Sequence, residues 1–188
     1  MSPETTPSQT IGPFFHDALL ERNYSELVSP EDPEAVSIRG TIYDGAGEPV
    51  TDAMVEIWQA DRAGRYDHSA DDRDDLPLDE DFSGFGRSGT DRSGEFSFLT
   101  VKPGPVPGPD GQLQAPHVMV SVFARGLLKR LVTRIYFPDE AEANAVDPVF
   151  SSIEDHELRR TLLACDEANS LRFDIHLQGD GQTAFFEF

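Results

Sequence analysis

Cysteine is almost absent from this sequence of 188 residues, in which Cys165 stands alone. A single thiol forms neither an internal disulfide nor a thiolate metal cluster, so disulfide scaffolds and zinc fingers are excluded. No apolar run approaches the roughly 18 residues that a membrane-spanning helix needs, and the first ten residues show no secretory signal. We therefore expect a cytoplasmic protein with no membrane partner, in which Cys165 is an ordinary helix residue.

Basic residues are scarce, since 15 Lys and Arg stand against 35 Asp and Glu and give a formal net charge of −20 at pH 7. Nucleic-acid binding needs a basic face, so this balance argues against a nucleic-acid partner. The same charge repels small anions, and a site for one must supply its own local positive charge. An arginine near a pocket is therefore of particular interest.

Turn residues are plentiful, and the 15 glycines and 14 prolines separate short apolar runs in the manner of an all-β domain. Apolar alternation and β-branched residues predict strands at 36–43, 53–59, 94–101, 117–124, 128–137 and 171–177. We expect the first two to be neighbours in one sheet and the last to form a hairpin with 183–188. Two short helices are predicted, one after Phe137 and one from Ser151 or Ser152, where Glu154 completes a capping box. The prediction is one domain over residues 1–188, a mainly antiparallel β-sandwich with long loops.

Histidine offers the only hint of a metal site. His117 and Met119 share one face of a predicted strand, but no second histidine or carboxylate lies beside them, and a structural role for His117 is favoured. The acidic stretch 67–81 lacks calcium-loop spacing and is interpreted as a solvated loop. Nucleophile-elbow and phosphate-loop motifs are absent. The residues alone describe an acidic β-sandwich, which suits a binding module as well as an enzyme.

A series of short segments, in order along the chain, resembles the intradiol ring-cleaving dioxygenases, in particular the alpha chain of their two-chain members that cleave protocatechuate. The segments are TPSQTIGPFFH from Thr6, GTIYDG from Gly40, VEIWQAD from Val55, GFGR from Gly84, VKPGP from Val101, APH from Ala115, FARG from Phe123 and RIYF from Arg134. The resemblance extends over the whole chain from Thr6.

This resemblance implies a transthyretin-like β-sandwich that pairs with a homologous beta chain and assembles further as (αβ)n. It also implies that Fe(III) is a cofactor held by two tyrosines and two histidines of the beta chain alone. Phenolates are hard anionic donors that suit iron(III). The pair would cleave protocatechuate with O2 to 3-carboxy-cis,cis-muconate, and the isolated chain described here would be inactive.

The resemblance also shows where this sequence departs from the catalytic pattern. The two tyrosine positions carry Asp74 and Val106, and of the two histidine positions the first keeps His117 while the second carries Met119. We therefore assign no metal and no catalytic residue to this chain.

Four residues are implied to line the partner's active site. Thr10, Gly12 and Pro13 lie in an N-terminal arm, residues 1–35, that would contribute to the subunit interface, and Arg125 follows a strand. From the residues alone they are an ordinary turn and an ordinary surface arginine. The resemblance favours a pocket role for Arg125, because the substrate is an anion and the chain is acidic.

Two other hypotheses remain open at this stage. One is a self-sufficient iron dioxygenase in which His117 acts with Tyr43, Tyr66 or Tyr136. The other is a non-enzymatic, transthyretin-like β-sandwich used for binding or assembly.

Overall fold

A computed structural model describes residues 18–108, 110–168 and 170–187. Its strands are β1 (Ala35–Tyr43), β2 (Met54–Trp58), β3 (Phe85–Gly89), β4 (Glu95–Val101), β5 (Val106–Pro107), β6 (Leu113–Gln114), β7 (His117–Phe123), β8 (Leu131–Tyr136), β9 (Cys165–Glu167), β10 (Ser170–Arg172) and β11 (Ile175–His176). Its helices are α1 (Ala141–Val146), α2 (Pro148–Ser152) and α3 (His156–Arg160). In the described residues, no helix has the length and apolar character needed to cross a membrane.

Two sheets face each other across the core. In the first, β1 lies between antiparallel β4 and the parallel strands β10 and β11, and β9 pairs antiparallel with β10. The second has the order β3-β2-β7-β8 and is antiparallel throughout. Both sheets supply the buried core, with side chains that include Ile38, Ile42, Phe96, Phe98, Val55, Ile57, Val118, Val120 and Val122. The predicted β-sandwich, mainly antiparallel, is confirmed.

The two-residue period of β7 decides where the functional face lies. Val118, Val120 and Val122 are fully buried between the sheets, so the alternate residues of the strand project from the opposite face. Those alternate residues begin with His117 and Met119. The long segment between β2 and β3 and the small β5–β6 hairpin lie near that outer face, because both contribute residues to the cavity beside Trp58.

Two pairings expected from the sequence are wrong. β1 and β2 are not neighbours, because β1 belongs to the first sheet and β2 to the second. Residues 171–177 form two short strands parallel to β1, and the chain from 183 onward turns instead toward β8, where the Phe186 amide donates to the Val132 carbonyl at 2.8 Å. One contact of the expected hairpin is nevertheless present, because the Thr183 amide donates to the His176 carbonyl at 3.0 Å.

The helices also differ from the prediction, since in the described residues three short helices follow β8 where the sequence predicts two. Asp147 caps α2 and Asp155 caps α3 by accepting backbone N–H groups, so neither Ser151 nor Ser152 starts a helix. Ser151 lies inside α2 and donates its hydroxyl to the Asp147 carbonyl at 2.6 Å. Cys165 is an exposed residue of β9 rather than a helix residue.

The N-terminal arm is described only from residue 18, so Thr10, Gly12 and Pro13 lie outside the described residues. Its described part contacts both sheets: Tyr24 forms a bridge with Arg87 of β3, and Glu26 forms one with Leu99 of β4. The role of residues 1–35 at a subunit interface stays a prediction.

Candidate functional site

The outer face of the second sheet brings five side chains together. Met119 of β7 lies opposite Trp58 of β2 on one side and Arg134 of β8 on the other, and His117 lies opposite Tyr136. We call these five residues the outer-face cluster. Antiparallel register places directly opposed side chains within about 5.5 Å of each other at Cβ, so the cluster is fixed by the sheet itself.

His117 is a buried, neutral imidazole, with 4% of its surface exposed. Its Nδ1 lies 2.8 Å from the Ala115 carbonyl oxygen. A carbonyl only accepts, so Nδ1 carries the proton and Nε2 keeps its lone pair. Burial, and after it the charge of Arg134, lowers the pKa of His117 to about 4. The ring is therefore an acceptor at neutral pH.

The tyrosines near this face are protonated phenols. Tyr136 is fully buried and donates its hydroxyl to Asp147 Oδ1 at 3.0 Å, and burial raises its pKa. Tyr66 stacks on Trp58 with ring centroids 5.7 Å apart, and burial raises its pKa too. Tyr43 lies in the first sheet, stacked on His176 at 4.9 Å. The structure thus places Tyr136 beside His117 but keeps Tyr43 apart, which does not support the self-sufficient iron site.

A cavity of about 490 Å³ opens beside the cluster. It is lined by Trp58, Tyr66, His68, Ala70, Asp71, Asp72, Arg73, Val106 and Pro107. Arg73 Nε donates to Asp71 Oδ1 at 2.7 Å, and this ion pair holds the pKa of Asp71 well below its usual range. Stacked aromatic rings and one internally paired arginine make this a shaped pocket without a free cation among the lining residues.

The side chains at the three altered ligand positions do not form an iron(III) site. Val106 has no donor atom, and Met119 offers a soft thioether that already accepts a hydrogen bond from Arg134 Nε at 3.2 Å. The Asp74 side chain is 97% exposed and lies 3.5 Å from Arg65. Across the described residues, no three His, Cys, Asp or Glu side chains are grouped to hold a metal ion. No chemical step on a metal is therefore derived for this chain.

Arg125 lies at the other end of β7 from His117, in the turn before β8. At about 3.3 Å per strand residue, the two are roughly 20 Å apart or more, so Arg125 does not line this chain's own cavity. Its side chain is 66% exposed and forms an ion pair with Asp52. Arg125 and the cavity therefore lie in separate regions of the described residues.

Sequence reasoning missed Arg134, the most heavily engaged residue of the cluster. It donates to Met119 and also to Gln114 Oε1, at 2.7 Å from Nη1. Part of the signal was available, because Arg134 places a charge within the largely apolar run from Leu131 to Phe137. Its position opposite Met119 comes from the register of β7 and β8. A charge in such a strand needs partners on the sheet face.

Comparison with known proteins gives consistent results. The family model described as "Dioxygenase" matches residues 11–179. The chain is 42% identical to the "Protocatechuate 3,4-dioxygenase alpha chain" of Pseudomonas putida, over 97% of this chain and 96% of that one. It is 37% identical to the "Protocatechuate 3,4-dioxygenase beta chain" of Burkholderia cepacia, over 94% of this chain and 77% of that one. A solved dioxygenase domain from Streptomyces sp. SirexAA-E superposes with a TM-score of 0.58 at 25% identity, over 94% of this chain and 99% of that one.

Proposed function

Since the chain belongs to the Dioxygenase family, we propose that it is the alpha-type, metal-free member of a two-chain protocatechuate 3,4-dioxygenase. In this proposal a homologous beta-type chain holds Fe(III), and the assembled pair cleaves protocatechuate with O2 to 3-carboxy-cis,cis-muconate. The observation that carries the proposal is the combination of 42% identity to an alpha chain over nearly the whole length with three altered ligand positions whose side chains form no iron(III) site.

The partner's chemistry defines what this chain has to contribute. Protocatechuate carries a carboxylate, which the net charge of −20 on this chain repels unless a local cation compensates. Arg125 is an exposed cation in the turn between β7 and β8. We assign it, with Thr10, Gly12 and Pro13, to the wall of the partner's active site. Shape and charge at that wall would orient the anion, while bond cleavage would take place in the partner.

Replacing Arg125 with alanine in the assembled pair should raise the KM for protocatechuate about fivefold and leave kcat nearly unchanged, because a contact at the rim of a site is worth about 1 kcal/mol. Catechol, which lacks the carboxylate, should respond much less. Lys129→Ala is the matched control, since Lys129 is equally exposed in the same turn and forms an ion pair with Glu187 at 3.7 Å. An equal loss on both substrates, or a loss of iron, would show that Arg125 supports the interface instead.

Co-expression with a homologous beta-type chain tests the proposed function itself. Oxygen uptake with protocatechuate should require both chains, and neither this chain alone nor a mixture with an unrelated protein should show it. If the two chains fail to copurify and no ring cleavage appears, the non-enzymatic β-sandwich module becomes the better account.

A further inference from the structure

Arg134 lies at the centre of the outer-face cluster. Its Nε donates to Met119 Sδ at 3.2 Å, and its Nη1 donates to Gln114 Oε1 at 2.7 Å and to Tyr136 Oη at 3.2 Å. Its guanidinium carbon lies 5.9 Å from the centre of the Phe186 ring. Residues of β6, β7 and β8 and of the C-terminal tail therefore contact a single cation.

The histidine beside this cation has the geometry of a metal ligand. His117 donates its Nδ1 proton to the Ala115 carbonyl, which fixes the tautomer and leaves the Nε2 lone pair unprotonated. A backbone carbonyl that orients the second ring nitrogen is the usual support of a metal-binding histidine. In the outer-face cluster, His117 thus keeps an oriented lone pair on Nε2, while Met119 contacts Arg134.

A metal ion bound by His117 and by residue 119 would lie within a few ångströms of the guanidinium, because Nε is in contact with the Met119 side chain. Arginine stays protonated in proteins, so this charge cannot be relieved by proton loss. Repulsion between two cations at such a distance is large in a partly buried site. The missing ligands are therefore one obstacle to metal binding, and the arginine is a second, separate one.

We propose that the Arg134 guanidinium takes the place of the metal cation in this chain: it is the resident positive charge of the outer-face cluster, held by Gln114, Met119 and Tyr136, and it excludes a metal ion even when ligands are supplied.

Copper(II) binding by the full chain tests this directly, because Met119→His creates two histidines on one strand face and copper(II) binds such sites strongly. We compare Met119→His alone with Met119→His/Arg134→Gln and Met119→His/Arg134→Met. Removing the cation should tighten copper(II) binding at least about tenfold. The copper(II) EPR spectrum should then show coupling to imidazole nitrogen, which coordination by the many surface carboxylates cannot produce.

Two further variants separate the local charge from general effects. Met119→His/Arg134→Lys keeps a cation and should bind copper(II) as weakly as Met119→His. Met119→His/Arg130→Gln removes an exposed arginine at the start of β8, with the same change in net charge, and should also have no effect. Near-UV circular dichroism verifies the fold of each variant.

The proposal is overturned if Met119→His binds copper(II) as tightly with Arg134 as without it, or if Arg130→Gln gives the same gain. It is also overturned if neither Met119→His/Arg134→Gln nor Met119→His/Arg134→Met binds copper(II) more tightly than Met119→His. The measurement uses this chain alone, so its outcome is independent of whether the assembled pair cleaves protocatechuate.

Discussion

Asp147 shows how a single buried carboxylate can join three parts of this fold. It is fully buried, accepts the Val149 and Phe150 amides at the start of α2 at 2.8 and 2.7 Å, and accepts the Tyr136 hydroxyl of β8 at 3.0 Å. Its second oxygen accepts the Ala115 amide at 2.8 Å, just ahead of β7. The acid therefore positions the same backbone whose carbonyl orients His117.

Asp147→Asn should lower the free energy of unfolding by about 2–4 kcal/mol, because the new amide group replaces one acceptor oxygen and leaves buried donors without a partner. Tyr136→Phe removes one hydroxyl contact and should cost about 1 kcal/mol. Urea unfolding of both variants measures the difference. Equal losses would mean that the carboxylate matters only through Tyr136.

The lowered pKa of His117 predicts that the free energy of unfolding depends on pH. Its pKa is about 4 in the folded chain and about 6.5 when unfolded, so the unfolded state binds more protons between these values. The neutral His117 ring makes its full contribution to the free energy of unfolding, about 3 kcal/mol, above pH 6.5. This contribution is lost as the pH falls toward 4.

His117→Gln removes this titration, so the stability of the variant should fall less than that of the wild type between pH 7 and pH 4. Carboxylates elsewhere contribute equally to both proteins, and the difference between the two curves isolates the histidine. Parallel curves would show that His117 becomes protonated without cost.

At the scale of the elements, β1 is the strand on which the first sheet depends. Gly40, near its middle, has no room for a side chain, because a Cβ there would overlap the Phe173 carbonyl oxygen of the adjoining segment. The Phe173 amide itself donates to the Arg39 carbonyl at 2.8 Å. Close backbone approach along β1 thus joins the C-terminal strands to the sandwich.

Gly40→Ala should therefore reduce the free energy of unfolding by about 3 kcal/mol or more, since the Phe173 backbone has to move away from β1. Gly126→Ala is the control: its φ of 83° is strained for alanine, but a Cβ there meets nothing, and we expect a loss of about 1 kcal/mol. Thermal unfolding of the two variants provides the comparison. A similar, small loss of stability in both variants would show that β1 accommodates a side chain at position 40 more easily than the geometry indicates.

The sequence predicts strands where buried residues alternate with exposed ones. It does not predict pairing between strands that are far apart along the chain. β1, β2, β4 and β7 follow from alternating apolar residues, because one face of each is buried. The parallel pairing of β10 and β11 with β1 joins residues more than 100 positions apart, and no local pattern encodes it. Helix starts failed for a different reason, since Ser and Asp are both good caps and tertiary contacts selected Asp147 and Asp155.

The candidate site likewise has a part that the sequence predicts and a part that depends on strand pairing. The shared face of His117 and Met119 was predictable from the two-residue period of one strand. Arg134 lies beside Met119 because of the register between β7 and β8. The alternation of apolar residues within either strand leaves that register undetermined. The ligand losses at Asp74, Val106 and Met119 came from the family resemblance, and the structure adds what each of these side chains contacts.

At the scale of the whole molecule, the aromatic residues near the C-terminus pack against apolar clusters of the same chain. Phe185 packs partly buried against the core between the sheets, and Phe186 packs against the smaller apolar cluster that contains Tyr136 and Phe150. Exposed apolar side chains lie elsewhere, and they include Leu113, Leu128 and Val146. Leu128 belongs to the same turn as Arg125, so apolar contact and positive charge are adjacent on the surface assigned to the partner.

The central claim is that this chain contributes to an iron dioxygenase without binding the iron. Metal analysis with visible absorption spectroscopy, on this chain alone, the beta-type chain alone and the copurified pair, tests it most directly. We predict a colourless, iron-free alpha-type chain and a coloured pair whose iron content follows the amount of the beta-type chain. Tightly held, stoichiometric iron(III) with tyrosinate absorption in this chain alone would contradict the account.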